Sequence, residues 1–169
     1  RALAANARLA EECGWDGVWV PEAWGSDAVS LLGAVASRTS RIRLATGIVN
    51  VFSRTPGTLA QTFATLDELS GGRVVIGLGT SGSQVIERWH GMPFERPVRR
   101  LRETVEILRL ALSGQRVDYD GEIFRLRGFT LPVRPIQSHI PIYLATFKPQ
   151  GLRLTGEIAD GWLPTHVSL

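Results

Sequence analysis

The chain has 169 residues, enough for one domain with a substantial core, and its 44% hydrophobic and 21% charged residues are typical of folded proteins. The net charge is +3, and the densest basic run, at 96–102, is followed by Glu103 and Glu106 on the same predicted helix, which indicates a solvated helix face rather than a nucleic-acid site. The single cysteine excludes an internal disulfide and a cysteine-based metal cluster. No apolar run approaches the ~20 residues that span a bilayer, and no signal peptide is visible. We therefore expect a cytoplasmic protein that contacts neither membrane nor nucleic acid and holds no metal.

The predicted elements alternate between amphipathic helices and short apolar strands. In chain order they are a helix at 2–13, a strand at 17–20, a helix from Ser26 or Asp27, a strand at 42–49, a helix from Thr55 and Pro56, a strand at 74–78, a helix from about Ser83, a helix at 97–112, a strand at 140–145, a helix at 149–159 and a strand from 160. Such alternation predicts a parallel sheet covered by helices.

Residues 115–138 have a different character. A turn signal at 119–122 lies between short β-prone pieces, and three prolines follow within 132–141. This segment is predicted to be an excursion inserted between two regular units. About five strands remain, whereas an eight-stranded barrel needs ~250 residues. The sequence therefore predicts an α/β fold of the parallel (β/α)8 TIM-barrel type, in which residues 1–169 form a partial barrel without its first and last strands.

A glycine-rich loop follows the strand at 74–78. The spacing Gly77-x-Gly79-x-x-Gly82 matches the dinucleotide fingerprint of a Rossmann fold. That fold also needs an acidic residue about 20 positions later at the end of the next strand, and the nearest candidate, Glu103, lies in the middle of a predicted helix. The Rossmann interpretation is therefore disfavoured, and the loop is expected to shape a ligand site at a barrel mouth.

The carboxyl ends of parallel strands meet at one end of a barrel, where ligands bind. The loops predicted there are 22–26, 47–54, 77–83 and 145–148. They are rich in Gly, Ser, Thr, Asn and Trp, and we expect them to hold a flat ring together with a phosphate.

At these loops the sequence resembles the luciferase-like monooxygenase superfamily, and within it the coenzyme F420-dependent oxidoreductases, such as methylenetetrahydromethanopterin reductase-like proteins. The segments that carry the resemblance follow one another in order along nearly the whole chain: 18–25, 45–48, 54–56, 66–73, 77–79, 89–91, 102–107 and 156–162. The resemblance implies a (β/α)8 barrel with an insertion, a homodimer, a small-molecule substrate and a cofactor bound at the mouth.

The resemblance also implies roles for individual residues. Gly47-Ile48 occupies the place of a bulge with a non-prolyl cis peptide that backs the deazaflavin ring, and Glu22 matches an acidic position near that ring, which makes it the catalytic candidate. The residues expected to bind the cofactor are Gly47, Ile48, Asn50, Gly77, Gly79, Thr80, Ser81, Gly82, Ala145, Thr146 and Trp24.

Several alternatives remain open. Glu22 is equally compatible with a helix cap or an ion pair, and Gly47 with a simple strand bulge. Sugar-phosphate dehydrogenases of this branch carry a catalytic His after the acidic residue, where this chain has Ala23, so sugar dehydrogenation is disfavoured. Beside hydride transfer with coenzyme F420, two hypotheses stand: an FMN-dependent monooxygenase, and a truncated, non-catalytic binding or assembly module.

Overall fold

The computed structural model describes residues 2–165. Its helices and strands, in chain order, are α1 Ala2–Glu12, β1 Gly17–Val20, α2 Ala28–Ala36, β2 Arg43–Thr46, β3 Val49–Asn50, α3 Pro56–Ser70, β4 Val74–Gly79, a π-helix Val85–Trp89, α4 Pro97–Leu112, β5 Val117–Asp120, β6 Arg125–Phe129, β7 Ile142–Ala145, α5 Pro149–Ile158 and β8 Gly161–Trp162. The helices begin where the sequence favours them: Asp27 and Thr55 accept hydrogen bonds from the amides of Ser30 and Thr58.

A parallel sheet in the order β1-β2-β4-β7-β8 organises the fold, and the short β3 pairs with the end of β4. The predicted parallel α/β fold and partial barrel are confirmed. The single strand predicted at 42–49 was wrong, because the chain breaks at Gly47-Ile48 into β2 and β3. Each strand has an upper end, where its carboxyl terminus lies, and a lower end, where it begins.

The two faces of the sheet differ. Outward-pointing side chains such as Leu44, Ile76 and Leu144 are fully buried in the core. On the inner face the rings of Trp19 and Tyr143 lie with centroids 5.6 Å apart. Trp15, Trp19, Trp24, Trp89 and Trp162 are all exposed in the single chain.

Charged side chains hold the lower end of the sheet together. Arg73 donates to the carbonyl oxygens of Ala36, Thr39, Ile42 and Ser70 and to the Thr39 hydroxyl. The carboxylate of Glu11 accepts the amides of residues 40–42 just before β2. These contacts satisfy backbone groups at helix ends and strand starts, which would otherwise lack partners.

The excursion at 115–138 contains the antiparallel hairpin β5–β6. Two buried carboxylates fasten it. Glu103 on α4 accepts the amides of residues 122–124 at the hairpin turn. Asp67 on α3 accepts both the backbone amide and the side-chain amide of Gln137, at 2.9 and 2.7 Å. The excursion is therefore attached to the barrel wall at its turn and at its end.

Candidate cofactor site at the upper end of the sheet

The upper ends of β1, β2, β4 and β7 bring the predicted site residues to one end of the sheet. Their order places the loop after β2 between those after β1 and β4, and the loop after β7 beyond β4. This arrangement is the one expected for a barrel mouth.

The peptide bond between Gly47 and Ile48 is cis, as the resemblance implies. The β2–β4 register ends at Ala45 and Val75, and beyond it the Thr46 hydroxyl donates to the Gly77 carbonyl at 2.8 Å and accepts its amide at 2.9 Å. A Cβ on Gly77 would lie 1.8 Å from the Thr46 carbonyl oxygen. Gly77 is therefore required by the neighbouring strand, whatever ligand the site holds.

The Ile48 side chain lies against the two glycines of β4. A Cβ on Gly79 would come within 3.1 Å of Ile48 Cδ1, and one on Gly77 within 3.5 Å of its Cγ2. Gly47 itself faces Trp19, with ordinary contact distances of 3.5 Å and longer. The first two glycines of the fingerprint thus accommodate the bulge that carries Ile48, which explains the spacing without a dinucleotide.

The loop at 80–82 joins β4 to the helical turn that begins at Ser83. Ser81 adopts a left-handed conformation, with φ of 56°. Between residues 2 and 165, the backbone amides of Ser81 and Gly82 make no hydrogen bond to protein, whereas the amide of Thr80 faces β7. Such unpaired amides before a helical segment form the kind of environment that binds a phosphate or another anion.

The loop after β7 offers fewer free polar groups for a phosphate than its sequence indicates. Ala145 is paired with Gly79 inside the sheet. The Thr146 hydroxyl is engaged with the Thr155 hydroxyl at 2.8 Å, and its carbonyl accepts the Trp162 indole at 2.8 Å. These contacts fix the loop in place, and a role for Ala145 and Thr146 in binding a phosphate stays a prediction.

Glu22 follows β1 and is tightly held. Its carboxylate forms a two-point ion pair with Arg54, and Oε2 also accepts the amide of Ala28 at 2.9 Å. Its own amide donates to the Ile48 carbonyl at 3.3 Å. Glu22 therefore caps α2 and forms an ion pair, which is the structural alternative considered from the sequence, and its catalytic role stays a prediction.

Asn50 is buried, and its side-chain oxygen accepts the amides of Phe52 and Ser53 at 3.0 and 2.8 Å. Its side-chain nitrogen lies 3.4 Å from Nε2 of His90, which makes that nitrogen of His90 the acceptor. Trp24 lies in the loop after β1, and 70% of its surface is exposed. Asn50 and His90 thus link the end of β3 to the segment after β4.

Sequence reasoning missed three residues of this region: Thr46, Arg54 and His90. All three stood within the segments that carry the family resemblance, yet only their structural neighbours reveal what they do. Within residues 2–165, no group of three or more His, Cys, Asp and Glu side chains is placed to hold a metal ion. The helices in that range are all too short or too polar to cross a bilayer.

Comparison with known proteins identifies relatives along the whole chain. The family model described as "Luciferase-like monooxygenase" matches residues 1–169. The 5,10-methylenetetrahydromethanopterin reductase of Archaeoglobus fulgidus is 38% identical over 162 residues, which cover 95% of this chain and 48% of the relative. The F420-dependent glucose-6-phosphate dehydrogenase of Microbacterium testaceum is 37% identical over 170 residues, covering 93% and 50%.

Among solved structures, the coenzyme F420-dependent tetrahydromethanopterin reductase from Methanopyrus kandleri superposes with a TM-score of 0.90 at 31% identity. The match covers 96% of this chain and 51% of that structure. The chain thus spans about half the length of the curated relatives it matches.

Proposed function

Because this chain belongs to the luciferase-like monooxygenase family, we propose that it carries the cofactor-binding mouth of an oxidoreductase that transfers a hydride between coenzyme F420 and a small organic substrate. The observation that supports this most is the upper end of the sheet, where the Gly47-Ile48 bulge, Glu22 and the amides of 80–82 are brought together. Relatives whose names include F420 match over 93% and 96% of this chain.

The residues present fit such a cofactor. The bulge offers an apolar surface, made by the Ile48 side chain over the glycines of β4, on which a flat ring can rest. The loop at 80–82 offers backbone amides with no protein partner in the described chain, suited to a phosphate. Both features lie at the ends of neighbouring strands, so one elongated ligand with a ring and a phosphate reaches both.

When bound, the deazaflavin supplies a hydride acceptor and donor. In this proposal the chain's own residues bind and orient it: Gly47 and Ile48 support one face of the ring, and Glu22 presents a carboxylate oxygen toward it. Ser81 and Gly82 donate amides to the phosphate, Thr80 lines the same loop, and Trp24 covers the mouth. Ala23 leaves the position after Glu22 without a proton-transferring side chain, which disfavours sugar dehydrogenation.

Fluorescence titration of the purified full chain with coenzyme F420 tests the proposal. Saturable quenching of the deazaflavin fluorescence is expected. Absence of quenching, in a protein shown to be folded by circular dichroism, contradicts it and favours a non-catalytic binding or assembly module.

An FMN-dependent monooxygenase is the second candidate, supported by the matching family model, which is named for monooxygenases. The phosphate end of FMN would use the same amides at 80–82. Absorbance of the protein as purified separates the two, because bound flavin absorbs at about 450 nm, a property of the cofactor itself. A flavin spectrum together with no affinity for F420 would replace the first candidate with the second.

We further propose that the protein is a cytoplasmic homodimer. Large apolar side chains near the upper end, Trp24, Trp89 and Met92, are exposed in the single chain and offer surface for a partner copy. Sedimentation of the full chain is expected to give twice the monomer mass, and a stable monomer at micromolar concentration contradicts this part.

A further inference from the structure

Arg54, in the segment between β3 and α3, lies at the centre of an ion-pair cluster. Its guanidinium donates through Nη1 and Nη2 to the two carboxylate oxygens of Glu22, and through Nη2 also to Asp27. Only 19% of the Arg54 side chain and 12% of the Glu22 side chain are exposed, so the pair is largely shielded from water. A shielded, two-point Arg–carboxylate pair is both stronger and more directional than an exposed one.

This cluster joins three parts of the mouth. Glu22 lies at the end of β1, Asp27 caps α2, and Arg54 comes from the loop after β3. The Glu22 amide donates to the Ile48 carbonyl, and its Oε2 accepts the Ala28 amide. Glu22 therefore contacts the predicted ring-supporting bulge through its amide and α2 through its carboxylate. Arg54 holds that carboxylate in place.

The contacts also limit what Glu22 can do. Oε2 accepts from both Arg54 and Ala28, while Oε1 accepts from Arg54 alone among residues 2–165 and keeps one acceptor position. A carboxylate held at three points is a fixed acceptor of defined direction. It is not the freely rotating group that a mobile general base requires.

We propose that Arg54 is a positioning residue that holds Glu22 in the orientation in which Oε1 accepts a hydrogen bond from the bound deazaflavin. This inference rests on the proposed function. The hydrogen bond with Glu22 raises the pKa of the Arg54 guanidinium above its usual range and outweighs the opposing effect of burial, so Arg54 stays charged. Arg54 thus acts on the ligand through Glu22 without touching it.

A double-mutant cycle measured by F420 fluorescence quenching tests the inference on the full chain. Arg54→Met and Glu22→Gln are each expected to weaken F420 binding about tenfold, the effect of losing one charged hydrogen bond. Because both act on the same contact, the combined variant is expected to bind about as weakly as either single variant rather than a hundredfold less tightly. Arg54→Lys, which keeps the charge, is expected to restore part of the affinity.

Two further variants provide controls. Arg8→Met removes an exposed i,i+4 pair with Glu12 and should leave F420 binding unchanged. Asp27→Asn weakens the contact of Arg54 with α2 but leaves Glu22 paired, so it should alter thermal unfolding more than affinity. The absorption band of bound F420 is expected to shift in Arg54→Met and Glu22→Gln alike.

The possible results separate the two proposals. If the wild-type chain does not quench F420 fluorescence, the proposed function fails and this inference falls with it. If the wild type binds F420 but folded Arg54→Met binds it equally well, only the positioning role is overturned. The positioning role is also overturned if the double variant loses about a hundredfold in F420 affinity, or if the absorption band shifts in only one of the two single variants. Either result would show that the two residues act independently.

Discussion

The two ends of the sheet use charge in opposite ways. At the lower end, Arg73, Glu11 and Asp67 direct their charged groups at backbone amides and carbonyls. At the upper end, Arg54 and Glu22 pair mainly with each other, and the amides of Ser81 and Gly82 have no partner within residues 2–165. A parallel barrel separates stability from chemistry in this way: the lower loops complete the fold, and the upper loops keep polar groups available for a ligand.

The largest expected effect concerns a residue near the upper end that serves the fold. Gly77→Ala places a methyl group against the Thr46 carbonyl oxygen, so the strands must separate, and we expect the free energy of unfolding to fall by about 3 kcal/mol or more. Urea denaturation without cofactor measures it.

The matched control for Gly77→Ala is Gly57→Ala in α3, where an added Cβ meets no atom of the described chain within 4 Å. That change is expected to leave stability equal or raise it by about 0.5–1 kcal/mol, since alanine favours helix. If Gly77→Ala has the same free energy of unfolding as the wild type and only its affinity for the cofactor falls, Gly77 belongs to the ligand site. The proposed separation of stability and ligand binding between the two ends of the sheet would then not hold at this residue.

Arg73→Met tests the lower end. The substitution removes hydrogen bonds to carbonyls of α2, α3 and the start of β2, and leaves those groups without partners, so stability should fall by about 2–3 kcal/mol. At a temperature where the variant is folded, its affinity for F420 is expected to stay within about twofold of the wild type, because Arg73 lies at the opposite end of the sheet from the candidate site. A selective loss of affinity would show that the lower end shapes the mouth.

The smallest effect is expected from Glu11 and depends on pH. Hydrogen bonds from the amides of Ile42 and Arg41 lower the pKa of Glu11 to about 2. Because the folded-state pKa lies below the unfolded one, the stabilisation is complete above about pH 4.5 and is lost as the pH falls toward 2.

Glu11→Gln should therefore flatten the decline of unfolding free energy between about pH 4.5 and 2, and lower stability modestly at pH 7. Thermal unfolding across this pH range compares the two proteins. Parallel curves would mean that the Glu11 contacts contribute nothing to folding.

Much of the fold was predictable because its signals are local. Apolar strands, amphipathic helices, the caps Asp27 and Thr55 and the prolines of the excursion each act within a few residues. The break at Gly47-Ile48 was predictable as a bulge only through family resemblance, and periodicity alone indicated one strand at 42–49. Its reason is non-local, since β4 must supply two glycines beside Ile48.

The site was predictable as a set of loops but not as a set of contacts. Glu22 was correctly placed at the end of β1, yet nothing in the local sequence shows that Arg54, 32 residues later, would pair with it. The same holds for His90 and Asn50, which are 40 residues apart. Pairings between distant segments depend on the register of the sheet, which composition and periodicity do not encode.

The two carboxylates that fasten the excursion fix its position on the barrel at two points. Glu103 sets where the hairpin turn lies along α4, and Asp67 sets where the segment returns to the sheet at Gln137. Any lengthening between them must leave both anchors in place, so we expect relatives to gain or lose residues in 130–136 rather than within the paired strands. The excursion is thus a segment with fixed attachment points on α3 and α4, whose length can vary between them without a change in the barrel.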